Sequence, residues 1–236
     1  MKNTFLLLAL AALATGCNGD EDGTDPQPVP FENPIFENYC VSQYDANGDG
    51  VLTTDEAASV KELTLDANTD KSLSGISSLN GIEYFTELEE LTCTMCDFTS
   101  IDLSRNTRLQ SLGLMYGKLE SLDVSMLPSL ETLNCNNNTL TSIDLSHNPR
   151  LRFLYVQGNR LTALDVSHNP ELEHLYVSMI PAFTNQIETL DVTKNPKLTQ
   201  LYAIDMTSLK VLRMLQAHKD ANILMSEPET TQIIYE

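Results

Sequence analysis

The chain has 236 residues and carries 33 acidic against 14 basic side chains, a net charge of −19. A surface of that sign repels phosphate backbones and excludes nucleic acid as a partner. The N-terminal apolar run, Phe5 to Ala14, is too short to span a bilayer.

That run follows Lys2 and ends in the small residues Leu13-Ala14-Thr15-Gly16 before Cys17, so residues 1–16 read as a secretion signal outside the fold. The ending resembles a bacterial lipobox, with Ala14 where that pattern favours Leu. The resemblance implies cleavage before Cys17, acylation of that residue and an outer-membrane lipoprotein that touches the membrane only through its anchor. Loss of Lys2 with the signal makes the remaining chain one unit more negative. Residues 17–30, acidic and then Pro-rich, read as a solvated tether of up to about 45 Å. An acidic run just after the lipidated Cys also resembles the surface-export signal of some Gram-negative lipoproteins, which would imply a place on the cell surface; bare linker composition is the alternative reading.

Residues 31–60 read as a helical cap. Ile35, Phe36, Tyr39, Cys40 and Tyr44 share one helical face and lead into Asp45-x-Asn47-x-Asp49-Gly50-x-Leu52-x-x-x-Glu56. This spacing resembles an EF-hand loop at every diagnostic position. The resemblance implies Ca²⁺ held by Asp45, Asn47 and Asp49 side chains, the Val51 carbonyl, Thr53 directly or through water, and Glu56 with two oxygens, Gly50 allowing the sharp turn. A lone extracellular hand of this kind binds at about 10⁻⁴–10⁻³ M. The loop also resembles a dockerin calcium loop, which would make the protein a docking component of a larger assembly. Dockerins use two such loops, and one is present here.

Residues 61–214 are organised by repetition. Leu88, Leu109, Leu130, Leu151 and Leu172 recur every 21 residues, and Leu198 arrives five residues late. Apolar side chains occupy positions 1, 4, 6, 11, 14 and 16 of each unit, with Asn or Cys at position 9, as at Cys96, Asn138 and Asn159. The pattern resembles the leucine-rich repeat family, and Ile76-x-x-Leu79-x-Gly81-Ile82-x-x-Phe85-x-x-Leu88 resembles its internalin-type variant. The expected fold is an α/β repeat, a solenoid of short parallel strands under the EF-hand-like cap. Positions 4 and 6 make a first strand, and positions 14 and 16, around an Asp, a second strand on the opposite wall. Coils stack about 4.8 Å apart, and roughly 1.5–3 kcal/mol per inward side chain is offset largely by chain entropy. Asn at position 9 bonds neighbouring backbones. Cys96 and Gly117 break that ladder, so the first two coils are expected to be less regular. Residues 215–236 form a C-terminal cap in which Ile233-Ile234-Tyr235 adds a strand.

Outward positions are free for function. On the first wall the later coils stack Phe153, Tyr155, His174, Tyr176 and Tyr202 on what is the concave, ligand-reading face of the resembled family. The inserted segment Ser178–Thr184 adds Phe183 at the rim. Grouped exposed aromatics are typical of interfaces and predict a protein or glycan ligand for a monomeric binding module. The second wall carries a column of Asp102, Asp123, Asp144, Asp165 and Asp191, flanked by Ser or Thr, expected to be hydrogen-bonded structural aspartates. His147 and His168, one coil apart, are expected to be solvated. Buried, inert thiols are the expected cysteine state, with a bridge from Cys93 to Cys96 or Cys40 as the open alternative in an exported chain. No catalytic grouping is present, so no enzyme is expected.

Overall fold

In a computed structural model, residues 26–178, 185–203, 206–221, 223 and 231–236 are described. Helix α1 (Pro34–Tyr44) starts where the Asn33 side chain accepts hydrogen bonds from the Ile35 and Phe36 amides, and Pro34 at the first position needs no donor. It buries Phe36 and Cys40 and leads through the loop to α2 (Thr54–Ala58). There Thr53 and Glu56 form a reciprocal capping box. Residues 27–29, assigned to the tether on composition, pack into this cap instead: Val29 is buried, its amide donates to the Leu52 carbonyl, and Gln27 accepts from Thr54.

The repeats then wind. Strands β1 (Glu62–Asp66), β2 (Glu90–Thr94), β3 (Ser111–Met115), β4 (Thr132–Asn134), β5 (Phe153–Tyr155), β6 (His174–Tyr176) and β8 (Gln200–Tyr202) form one parallel seven-stranded sheet. Its central file is leucine throughout, with Leu63, Leu91, Leu112, Leu133, Leu154, Leu175 and Leu201 paired in succession. All of these are buried, because each coil's position 4 lies under that of the next. Short 3-10 turns at Lys71–Leu73 and Ile82–Tyr84 occupy the return side of the first coils.

The open edge of β1 is covered by α1. The Tyr39 hydroxyl donates to the Thr64 carbonyl at 2.7 Å, and Tyr44 to that of Glu62 at 2.9 Å. Two edge-strand acceptors are thereby satisfied by aromatic side chains that also pack on the core. At the far end, β7 (Thr189–Asp191), β9 (Val211–Met214) and β10 (Gln232–Tyr235) make a second parallel sheet, so the expected terminal strand is present. Helix α3 (Gln216–Asp220) holds the buried His218 between the Asn195 carbonyl and the Leu215 amide.

Two expectations about the coils need correction. Among the described residues, the second wall is a paired strand only at β7, β9 and β10; residues 101–103, 122–124, 143–145 and 164–166 cross it without strand pairing. Each aspartate there accepts from the backbone amide two residues on, as Asp144 does from Ser146 at 2.9 Å, which closes a local turn in competition with a ladder. Nor are the first coils less regular on the first wall: β2 and β3 have five residues, against three in β4 to β6.

The position-9 ladder forms as expected. Asn159 donates to the carbonyls of Cys135 and Val156 and accepts from the Leu140 amide. Asn138 and Asn185 repeat the arrangement. A second buried ladder, at position 19, was not anticipated: the amide nitrogens of Asn106, Asn148, Asn169 and Asn195 each bridge two carbonyls of the preceding coil region. The cysteine expectation is also overturned, since Cys93 and Cys96 form a disulfide with Cα atoms 6.0 Å apart. The short turn between positions 6 and 9 brings the two together. Cys40 and Cys135 remain free and buried, and burial pushes the Cys135 thiol up to about 12.

Candidate functional site

The outward files of the first wall are set by the same 21-residue register that stacks the leucines. Position 5 brings Tyr155, Tyr176 and Tyr202 into one column, and position 3 brings Phe153 and His174 beside it. All five are partly buried. Tyr155 and Tyr176 lie with centroids 5.1 Å apart, Tyr176 and Tyr202 stack at 5.5 Å with planes 7° apart, and Phe153 meets His174 edge-on at 4.9 Å. These contacts preorganise the rings, which leaves little side-chain freedom to lose on binding. Partial burial raises the Tyr155 phenol above its ordinary value.

Several residues outside the expected set complete the patch. Gln200 accepts from the Tyr176 hydroxyl at 2.7 Å. Arg152 lies 5.0 Å over the Phe153 ring and is held by Glu173 at 2.8 Å and Glu131 at 3.5 Å. The guanidinium in turn holds the Glu173 carboxyl below its ordinary range. The sign alternation Glu131, Arg152, Glu173 at 21-residue spacing was the available signal for this ion-pair triad. Phe183 and Cys17 lie outside the described residues.

The cap loop is ordered by its own side chains. Asp45 accepts from the Gly48 and Gly50 amides, Asn47 from Asp49, and Asp49 from Val51. Glu56 accepts from the Ala46 amide with one oxygen, and from the Thr53 amide and hydroxyl with the other. Hydrogen bonds from the Thr53 backbone and hydroxyl hold the Glu56 carboxyl below its usual range. Gly48 and Gly50 have φ of +72° and +86°, and a Cβ would meet nothing within 4 Å at either. Backbone conformation, not space, requires glycine there. In chemistry these ligands fit a hard cation, being oxygen only, with Asn47, Asp49 and Val51 exposed and Asp45, Thr53 and Glu56 partly buried. Among the described residues, no three His, Cys, Asp or Glu side chains gather as a metal-holding cluster.

On the second wall Asp102, Asp123, Asp144 and Asp165 are each held below the ordinary aspartate range, first by the backbone amide and then by the hydroxyl of the serine two residues on. Asp191 bonds the Thr193 amide and hydroxyl in the same way. The serine hydroxyls also meet His147 and His168 Nδ1, at 3.0 and 3.1 Å.

Stacked parallel strands, leucine files and buried asparagine ladders define a leucine-rich-repeat solenoid. Residues 107–161 match the leucine rich repeat family. The fold is similar to the functional domain of InlJ from Listeria monocytogenes, which includes a cysteine ladder. Identity to it is 25% and the TM-score 0.55, over 91% of this chain and 61% of that one. This chain therefore spans about three-fifths of that domain. It is also similar to internalin C2 from Listeria monocytogenes, at 19% identity and TM-score 0.64, over 92% of this chain and all of that one. No protein of curated function matches the chain.

Proposed function

We propose that this protein is a cell-surface recognition module, carried on a lipid anchor at Cys17, that binds a protein or glycan ligand through the aromatic patch of its first wall. The observation that carries the reading is the grouping of Phe153, Tyr155, His174, Tyr176 and Tyr202 on one outward face. Nothing in the packing of the core requires aromatic rings there, since the leucine file beneath is the same in every coil. No catalytic role is proposed. The test is capture of partners from surface extracts on the full chain beside its Tyr155→Ala, Tyr176→Ala, Tyr202→Ala triple variant. Ligands lost by a folded variant support the patch; identical captures by both reject it.

The cap is proposed to hold one Ca²⁺ through Asp45, Asn47, Asp49, Val51, Thr53 and Glu56. When bound, the ion would supply the positive charge that ties the loop to α2. Its role is structural, because α1 shields the β1 edge through Tyr39 and Tyr44. With a Kd of about 10⁻⁴ M, 1 mM Ca²⁺ stabilises by about 1.4 kcal/mol. Excess chelator is then expected to lower the Tm by about 3–5 °C. An unchanged Tm in protein shown by calorimetry to bind Ca²⁺ would rule the structural role out.

A further inference from the structure

The first wall is not uniform along its length. Position 3 runs from Glu62 and Glu90 on β1 and β2, through Ser111 and Thr132, to Phe153, His174 and Gln200 on β5, β6 and β8. Glu62 and Glu90 are exposed register partners, and neither side chain has a cation or a hydrogen-bond partner among the described residues. Like charges directly opposite on neighbouring strands repel. Some carboxylates elsewhere are paired across coils, Glu89 with Lys61 and Glu188 with Lys210, whereas Glu62 and Glu90 face each other without a cation among the described residues. Between the anionic and aromatic ends the wall is low: position 5 holds Gly113, where an added Cβ would already press on Thr92 Oγ1 at 3.3 Å.

The aromatic end restricts the ligand as well. Tyr176 and Tyr202 lie face to face at 5.5 Å, and Tyr155 packs on the other side of Tyr176. The facing sides of Tyr176 and Tyr202 are thus closed to a stacking ligand. Stacking of a sugar ring needs free faces, whereas side chains and backbone of a polypeptide can use edges and hydroxyls. The wall also handles a guanidinium well: Arg152 sits over Phe153 between two carboxylates.

Resting on the reading of the aromatic patch above, we infer that the ligand is a polypeptide segment laid across the strands, with a Lys or Arg seated between Glu62 and Glu90 and apolar side chains on the tyrosine column. Three strand steps separate β2 from β5, about 14 Å. An extended segment covers that in about four residues, so the cation stands roughly four to six residues from the apolar anchor.

The test is selection of displayed random twelve-residue peptides on the full chain, on its Glu62→Gln, Glu90→Gln variant and on the triple tyrosine variant. Expected on the native chain are peptides with Lys or Arg at that spacing from Leu, Phe or Tyr. On the glutamine variant the basic preference disappears and the apolar one stays. A selected synthetic peptide should bind the glutamine variant at least about tenfold more weakly and weaken as NaCl rises. Removing the opposed charges leaves the melting temperature equal or higher, which separates lost recognition from lost fold. A basic preference that survives in the glutamine variant, or that never appears, overturns the inference while leaving the tyrosine patch standing if the triple variant selects nothing. Peptides selected equally by all three proteins overturn both. Retention of glycans with no peptide selected overturns the inference alone.

Discussion

The two walls of the solenoid come from one repeat, yet they differ in what varies along them. On the second wall position 15 is Asp in five successive units, and four of the aspartates close a local turn with the serine two residues on, Asp191 with Thr193. On the first wall position 5 changes from Thr92 through Gly113 and Asn134 to Tyr155, Tyr176 and Tyr202. A side chain fixed at every coil is tied to something every coil needs, here a turn. A side chain that drifts from coil to coil is released from that duty and can face a ligand. The walls also differ in backbone: seven paired strands hold the first wall's files in register, while the second relies on local bonds until β7.

The sharpest way to break this division of labour is to remove what both walls share. Asn159 donates to the Cys135 and Val156 carbonyls and accepts from the Leu140 amide, all buried. Asn159→Leu strands three backbone groups at about 1–3 kcal/mol each before relaxation, so a loss of about 3 kcal/mol or more is expected. Equilibrium urea unfolding checks it. A loss below about 1 kcal/mol would mean that the leucine files, not the asparagine ladder, hold the coils together.

The repeat period, the inward leucines, the position-9 ladder and the terminal strand were legible in the sequence because each is fixed by contacts that recur every 21 residues. The second-wall strands were misjudged because alternating apolar residues around an Asp look the same whether the Asp is a spectator or a turn-former. Only the geometry of Asp144 on the Ser146 amide distinguishes them. The position-19 asparagines were visible as letters but had no assigned role, since a buried amide bridging Leu145 and Asn148 carbonyls across coils, as Asn169 does, depends on how the turn closes. Position 8 was equally opaque: Met95, Tyr116 and Asn137 adopt φ of +61°, +55° and +57°, a left-handed turn that only Gly158 announces. For the candidate site, the aromatic column was readable from spacing alone, whereas the pinning of Arg152 by Glu131 and Glu173 needed distances.

The smallest expected effect lies on the second wall and sharpens the comparison from the other side. Asp102, Asp123, Asp144 and Asp165 have carboxyls held below their ordinary range by serine amides. A depressed carboxylate contributes stability that is fully present above the unfolded value of about 3.9 and is lost as pH falls through the lower folded values. The contribution of this column should therefore be flat near neutrality and disappear only below about pH 4. Asp123→Asn keeps an acceptor for the Ser125 amide but cannot titrate. At pH 7 its Tm should lie within about 2 °C of the parent, and partner capture should be unchanged. Between pH 4 and 3 the variant should lose less stability than the parent. If instead Asp123→Asn weakens capture at neutral pH while its Tm holds, the second wall also reads ligands, and invariance along a wall no longer marks a purely structural role.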